Sequence, residues 1–152
     1  MSKQILILGA GESGVGAAKL ALARGYAPFV SDAGPGKAHF VAELENLEVS
    51  YEVGGHNPSL WGDISEGYTV IKSPGIPDTV KVVEDLKGKG AEIISEIEFA
   101  SRFATGKVIA VTGANGKTTT TSLIHSIFSD AGLKSACVGN IGTSWCLSLI
   151  HI

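Results

Sequence analysis

The clearest chemistry in this sequence lies in Thr112-Gly113-Ala114-Asn115-Gly116-Lys117-Thr118, followed by Thr119 and Thr120. A loop that wraps phosphates must bring backbone N–H groups within hydrogen-bond distance of the anion, and Gly113 and Gly116 permit that approach. The order Gly-Lys-Thr at the start of a helix then supplies three things. The helix N-terminus attracts negative charge. Lys117 offers a point charge for β- and γ-phosphates. Thr118 offers a hydroxyl to Mg²⁺. The strict phosphate-loop pattern has glycine where Val111 stands, so this is a shortened variant. Residues Gly113, Ala114, Asn115, Gly116, Lys117, Thr118 and Thr119 are the expected ATP contacts, with Lys117 and Thr118 in catalytic roles and Thr118 on the metal.

A second glycine cluster sits near the start of the chain. Gly9, Gly11 and Gly14 follow the apolar run Ile5–Leu8, and Asp32 closes the next apolar run. This spacing is the dinucleotide fingerprint, in which a helix N-terminus meets a pyrophosphate and the acid meets a ribose hydroxyl. The same physics serves NAD(P), a UDP-sugar, or a tight turn with close helix–strand packing. The first loop therefore reads as a diphosphate site without naming its ligand.

Both loops need strands to hold them. Strands are expected at Ile5–Leu8, Pro28–Ser31, Val49–Val53, Tyr68–Lys72 and Glu92–Ser95, alternating with helices. The first helix runs to about Arg24, with Val15, Ala18, Ala21 and Leu22 on its apolar face and Gly25 as its cap. Later helices fall at Ala38–Leu47, Thr79–Lys89 and Ile97–Phe103. This alternation predicts a parallel sheet covered on both faces, an α/β Rossmann-like domain over residues 1–104. After Thr105-Gly106, Lys107–Val111 is expected to be a new strand leading into the phosphate loop. A helix from Lys117 to about Ala131 follows, with Leu123, Ile124, Ile127, Phe128 and Ala131 as its buried stripe. Ser135–Val138 is expected to be one more strand. The stretch 105–146 reads as the truncated start of a P-loop ATPase domain, too short to close its own core.

Composition narrows the classes. The chain has 152 residues, 44% of them hydrophobic, and a formal charge of −3. That mild charge predicts no affinity for nucleic acid or membrane. Cys137 and Cys146 form neither a disulfide framework nor a metal-ligand spacing. No secretory or membrane-spanning segment is visible, so a reduced cytoplasmic setting is expected.

Taken in order, Gly9–Gly14, Ser73-Pro74-Gly75-Ile76-Pro77, Thr112–Thr120 and Gly139-Asn140-Ile141-Gly142 resemble the N-terminal part of a Mur ligase, most closely the D-glutamate-adding members. The resemblance runs from Lys3 to Gly142. It implies ATP-dependent amide formation, with ATP and Mg²⁺ as cofactors, between UDP-N-acetylmuramoyl-L-alanine and D-glutamate in peptidoglycan precursor synthesis. ATP would phosphorylate the muramoyl-alanine carboxylate, and the D-glutamate amine would then displace phosphate. A monomer is expected for the full-length protein. By the same resemblance, Gly11, Glu12, Ser13, Gly14, Asp32, Ser73, Gly75 and Asn140 contact the UDP substrate. Ala33 and Gly34 stand where some relatives place a threonine and an arginine on the uracil. Ser73-Pro74-Gly75 also reads as a strand exit, Asn140 as a turn cap, His56 as a turn residue, and Glu96 with Glu98 as a helix start.

Leu147-Ser148-Leu149-Ile150-His151-Ile152 has no counterpart in that resemblance. It coincides with one reading frame of a transposon adapter used in sequencing libraries, so residues 147–152 are expected to be a non-native tail. The polypeptide alone is expected to be inactive, because the family's remaining catalytic groups lie downstream. The rival readings are an L-alanine-adding ligase and a non-catalytic NAD(P)- or nucleotide-binding module.

Overall fold

The computed structural model describes residues 3–139 and 144–151. Five strands are β1 (Gln4–Leu8), β2 (Ala27–Asp32), β3 (Ser50–Val53), β4 (Thr69–Lys72) and β5 (Glu92–Ser95). They form one sheet in the order β3-β2-β1-β4-β5, and every pairing is parallel. The helices are α1 (Glu12–Ala23), α2 (Ala38–Asn46), α3 (Lys81–Gly88), α4 (Glu96–Ser101), α5 (Lys117–Asp130) and α6 (Trp145–His151). A 3₁₀ turn spans Pro58–Leu60.

Alternation along β1 sets the two layers. Ile5 and Ile7 pack with Val15, Ala18 and Leu20 of α1, Leu44 of α2 and Phe99 of α4. Leu6 and Leu8 point the other way, toward Val83 and Leu86 of α3, with Trp61 and Ile64 beside them. A strand buried on both faces reads as a continuous apolar run, and Ile5–Leu8 is one. Strand order reverses at β1, whose neighbours are β2 and β4. In open parallel sheets the crevice at such a switch point is where ligands bind.

The expected strands and helices of this sheet are all present, with boundaries shifted by up to a few residues. Leu22 is the exception within α1. It is 38% exposed, and Ala17 and Leu20 take the buried face instead.

Beyond α4 the outcome differs. Lys107–Val111 forms no strand, and Val108 and Ile109 stand 60% and 55% exposed. Ser135–Val138 is not a strand either, and only Val138 makes an isolated bridge. The helix α5 forms where expected, but none of its residues is buried, so its expected apolar stripe lies open. The physical reason is partnership. A helix closes its hydrogen bonds within itself, whereas a strand needs a neighbour. Among the described residues no other helix or strand packs against α5. The segment of the expected tail behaves differently, since α6 packs on α1 and α4.

Candidate functional site

The first loop is braced by its own backbone. Gly9 adopts φ +102, and a Cβ there would lie 2.5 Å from Ser73 Oγ. A Cβ on Gly14 would lie 1.8 Å from the Gly9 carbonyl oxygen. Both glycines are therefore required by close approach: one to the turn after β4, the other to the loop itself. The Gly9 N–H donates to the Ser31 carbonyl (2.8 Å). Gly11 precedes α1 without a side-chain cap, which leaves the first-turn N–H groups open to an anion. A Cβ on Gly11 or Gly75 would meet nothing within 4 Å, so both face open space.

Asp32 has a defined task here. One carboxylate oxygen accepts from the Ala10 N–H (2.6 Å) and the other from the Gly34 N–H (2.7 Å). The acid thus ties the first loop to the turn after β2. It does not line the cleft described next.

That cleft has a volume of about 210 Å³ and is lined by Glu12, Ser13, Pro74, Glu96, Ile97, Gly139 and Ser144. Pockets that enclose a whole drug-sized ligand run from roughly 300 to 1,000 Å³. This one has room for a part of a ligand, such as a diphosphate. Of the residues read as UDP-substrate contacts, Glu12 and Ser13 line this cleft, beside Pro74 of the Ser-Pro-Gly turn, whereas Gly11, Gly14, Ser73 and Gly75 are not part of its lining. Asn140 lies outside the described residues, although its neighbour Gly139 lines the cleft.

The phosphate loop is separate, and none of its residues lines the cleft. Gly116 caps α5 in the left-handed region (φ 78) and carries no side chain, leaving the first N–H groups of the helix available. The Lys117 ammonium folds back over the loop and donates to the carbonyls of Gly113 and Ala114. A cation beside a helix N-terminus that lacks a side-chain cap suits a polyphosphate. Thr118 and Thr119 are exposed on the first turn of the helix. Among the described residues no group of three His, Cys, Asp or Glu side chains forms a metal site.

Two clusters were not legible beforehand. Below Asp32, the buried Ser31 hydroxyl donates to Glu52 Oε1 (2.7 Å) and lies 2.7 Å from His56 Nδ1. Glu52 also accepts from the Trp61 indole (2.7 Å) and the Asn57 N–H. Burial pushes the Glu52 carboxyl up, but hydrogen bonds from Ser31, Asn57 and Trp61, with His56 nearby, outweigh it and hold the group below the usual carboxylate range. His56 is thus tied to the buried end of β2 through Ser31. The other cluster is Glu96, only 3% exposed, bonded to residues some 50 positions later. Glu96 and Glu98 do start α4, with Ser95 Oγ accepting from the Glu98 N–H (3.0 Å). The sole hint of more was that β5 runs into α4 with no loop between them.

Residues 111–149 match the Mur ligase middle domain. The chain is 48% identical to UDP-N-acetylmuramoylalanine--D-glutamate ligase of Bacteroides thetaiotaomicron, over 97% of this chain and 32% of that protein. It is 46% identical to the enzyme of the same name from Cytophaga hutchinsonii, over 99% of this chain and 33% of that protein. Among solved structures, the murein peptide ligase Mpl of Psychrobacter arcticus 273-4 superposes with a TM-score of 0.57 at 30% identity, over 86% of this chain and 27% of that one. The chain spans about a third of the length of the curated relatives it matches. On this likeness in sequence and in fold, the chain belongs to the Mur ligase family.

Proposed function

We propose that this chain supplies the UDP-substrate site and the ATP phosphate loop of a ligase that adds D-glutamate to UDP-N-acetylmuramoyl-L-alanine. The observation that carries this reading is the convergence at the switch point of the sheet. The first glycine loop, the Ser-Pro-Gly turn and Gly139 meet around one diphosphate-sized cleft. The relatives named for this reaction supply the choice of amino acid.

In this reading the N–H groups at the start of α1 and the hydroxyl of Ser13 hold the diphosphate. Gly11, Glu12, Gly14, Ser73, Gly75 and Asn140 complete its surroundings, and Asp32 keeps the loop in shape beside the nucleoside. The loop Gly113–Thr119 cradles ATP. Lys117 offsets charge on the β- and γ-phosphates, and Thr118 is the hydroxyl that would meet Mg²⁺, which neutralises the transferring phosphoryl group when bound. Positioning and electrostatics are the contribution of these residues.

Residues 1–104 are proposed as the UDP-substrate domain and 105–146 as the opening of the ATP domain. The family match runs to residue 149, three residues into the proposed non-native tail, and so counts against that tail. The natural gene decides the matter, since one that encodes the same six residues removes the proposal. Among the described residues no helix is long and apolar enough to cross a membrane, and a cytoplasmic monomer is proposed for the whole enzyme.

Titration calorimetry on the 152-residue chain tests the reading. UDP-N-acetylmuramoyl-L-alanine should bind, and NAD⁺ and NADP⁺ should not. Binding of NAD⁺ without any UDP ligand would overturn it. With α5 unpacked, the isolated chain is expected to release no more phosphate from ATP, muramoyl substrate and D-glutamate than its Lys117→Ala variant.

A further inference from the structure

Glu96 is a buried carboxylate that none of the roles above uses. Its Oε1 accepts from Ser144 Oγ (3.1 Å) and from the Cys146 N–H (2.9 Å). The Cys146 thiol contacts the Glu96 backbone carbonyl (3.6 Å), and the Leu147 N–H donates to Ser144 Oγ (3.3 Å). Cys146 itself is fully buried among Phe99, Ala100, Val15 and Ala18. A separate observation points to the same contact. Gly16 lies mid-helix in α1, where glycine is unfavourable by roughly 1 kcal/mol relative to alanine. A Cβ there would lie 2.5 Å from Ser144 Oγ and 3.3 Å from Leu147 Cγ. The glycine makes room for the segment that Glu96 holds.

We propose that Glu96 is a latch, a positioning residue whose carboxylate docks Ser144 and Cys146 on the α1–α4 face. Gly139 and Ser144 then form a second wall of the cleft opposite Glu12 and Ser13. The role for the ligand rests on the UDP-substrate reading above. The docking itself does not. An undocked helix as short as α6 does not persist in water, so in this chain amide protection at 147–151 reports the docking of Ser144 and Cys146 directly, independently of the proposed non-native origin of 147–152.

Hydrogen exchange on the full chain, read by mass spectrometry, is the test. Wild-type 147–151 should be protected. Glu96→Ala should speed exchange there at least tenfold, and Glu96→Gln, which keeps an oxygen acceptor, should retain most of the protection. Gly16→Ala should speed it as well, although helix propensity alone makes that change stabilising. The amides of Ile5–Leu8 should not change, and if Glu96→Ala disturbs them, Gly16→Ala decides. Affinity for UDP-N-acetylmuramoyl-L-alanine should fall about tenfold in both alanine variants. Unprotected 147–151 amides in the wild type, or unchanged exchange in both variants, overturn the latch. Faster exchange with undiminished affinity overturns its role in the cleft. A wild type that binds no UDP ligand but shows the expected exchange pattern overturns the reading of the cleft and leaves the latch standing.

Discussion

The two glycine loops of this chain occupy opposite structural situations. The first grows from the most buried strand of the sheet, and its helix α1 packs on strands and helices alike. The second precedes a helix with no buried residue, and among the described residues the segment before it pairs with no strand. Both sequences encode a turn and a helix N-terminus, because those are local. Only the first also gains the tertiary contacts that make the turn rigid. A phosphate-binding signature therefore specifies its own loop without specifying the wall behind it.

The largest effects should separate the two regions by core packing. Phe99→Ala removes a buried ring from the cluster beneath α1 and should cost about 3–5 kcal/mol in urea unfolding. Leu123→Ala, at a position 59% exposed on α5, should stay within about 0.5 kcal/mol. Equal costs would break the comparison.

Next come the glycines. Gly14→Ala drives a Cβ to 1.8 Å from a backbone oxygen and should cost roughly 3 kcal/mol or more. At Gly116 nothing lies within 4 Å of a Cβ. There the left-handed φ sets a local cost of about 1–2 kcal/mol, and the unfolding midpoint of the sheet should not move. Lys117→Ala should leave that midpoint unchanged and weaken ATP binding about tenfold, measured by calorimetry.

The smallest effect is at the surface. Arg102 donates to Glu92 (2.7 Å and 3.1 Å). The hydrogen bond from Arg102, against a smaller burial effect and with added charge attraction, holds the Glu92 carboxyl below its usual range. A carboxyl lowered in the folded state stabilises above its unfolded pKa and loses that contribution as pH falls through the folded value. The Glu92 side chain is 46% exposed, so solvent screens the pair, and Arg102→Ala should cost less than about 1 kcal/mol. The difference from wild type should shrink further under acid. A larger loss at neutral pH would mean that the rim of the sheet is more tightly bound than its exposure implies.

How much was legible follows from the same contrast. Ile5–Leu8, the glycine turns and the apolar spacing of α1 to α5 are local patterns, and they predicted the sheet and its helices. Val108 and Ile109 look like a strand by composition, yet among the described residues no neighbouring strand pairs with their backbone. Leu22 fitted the apolar face of α1, but the helix turns it outward. Glu96 read as a helix start and is one. Its bonds to Ser144 and Cys146 join positions about 50 residues apart, a distance that no local spacing reveals. For the site, the first loop and the Ser-Pro-Gly turn were read separately as ligand contacts, and the fold brings Gly9 of the one against Ser73 of the other. The involvement of Asp32 with the loop backbone was not expected, because a carboxylate at a strand end reads the same whether it faces a ligand or an N–H.

The central place of β1 also governs the order of assembly. Leu6 pairs with Phe29 on one side and with Val70 on the other. During synthesis at about 5–20 residues per second, the edge of β1 that faces β4 therefore waits several seconds for its partner to emerge. Until then the most hydrophobic strand of the chain carries an open row of backbone donors and acceptors. That nascent stage, rather than the finished sheet, is where this sequence is most exposed to mispairing with another copy and most in need of a chaperone.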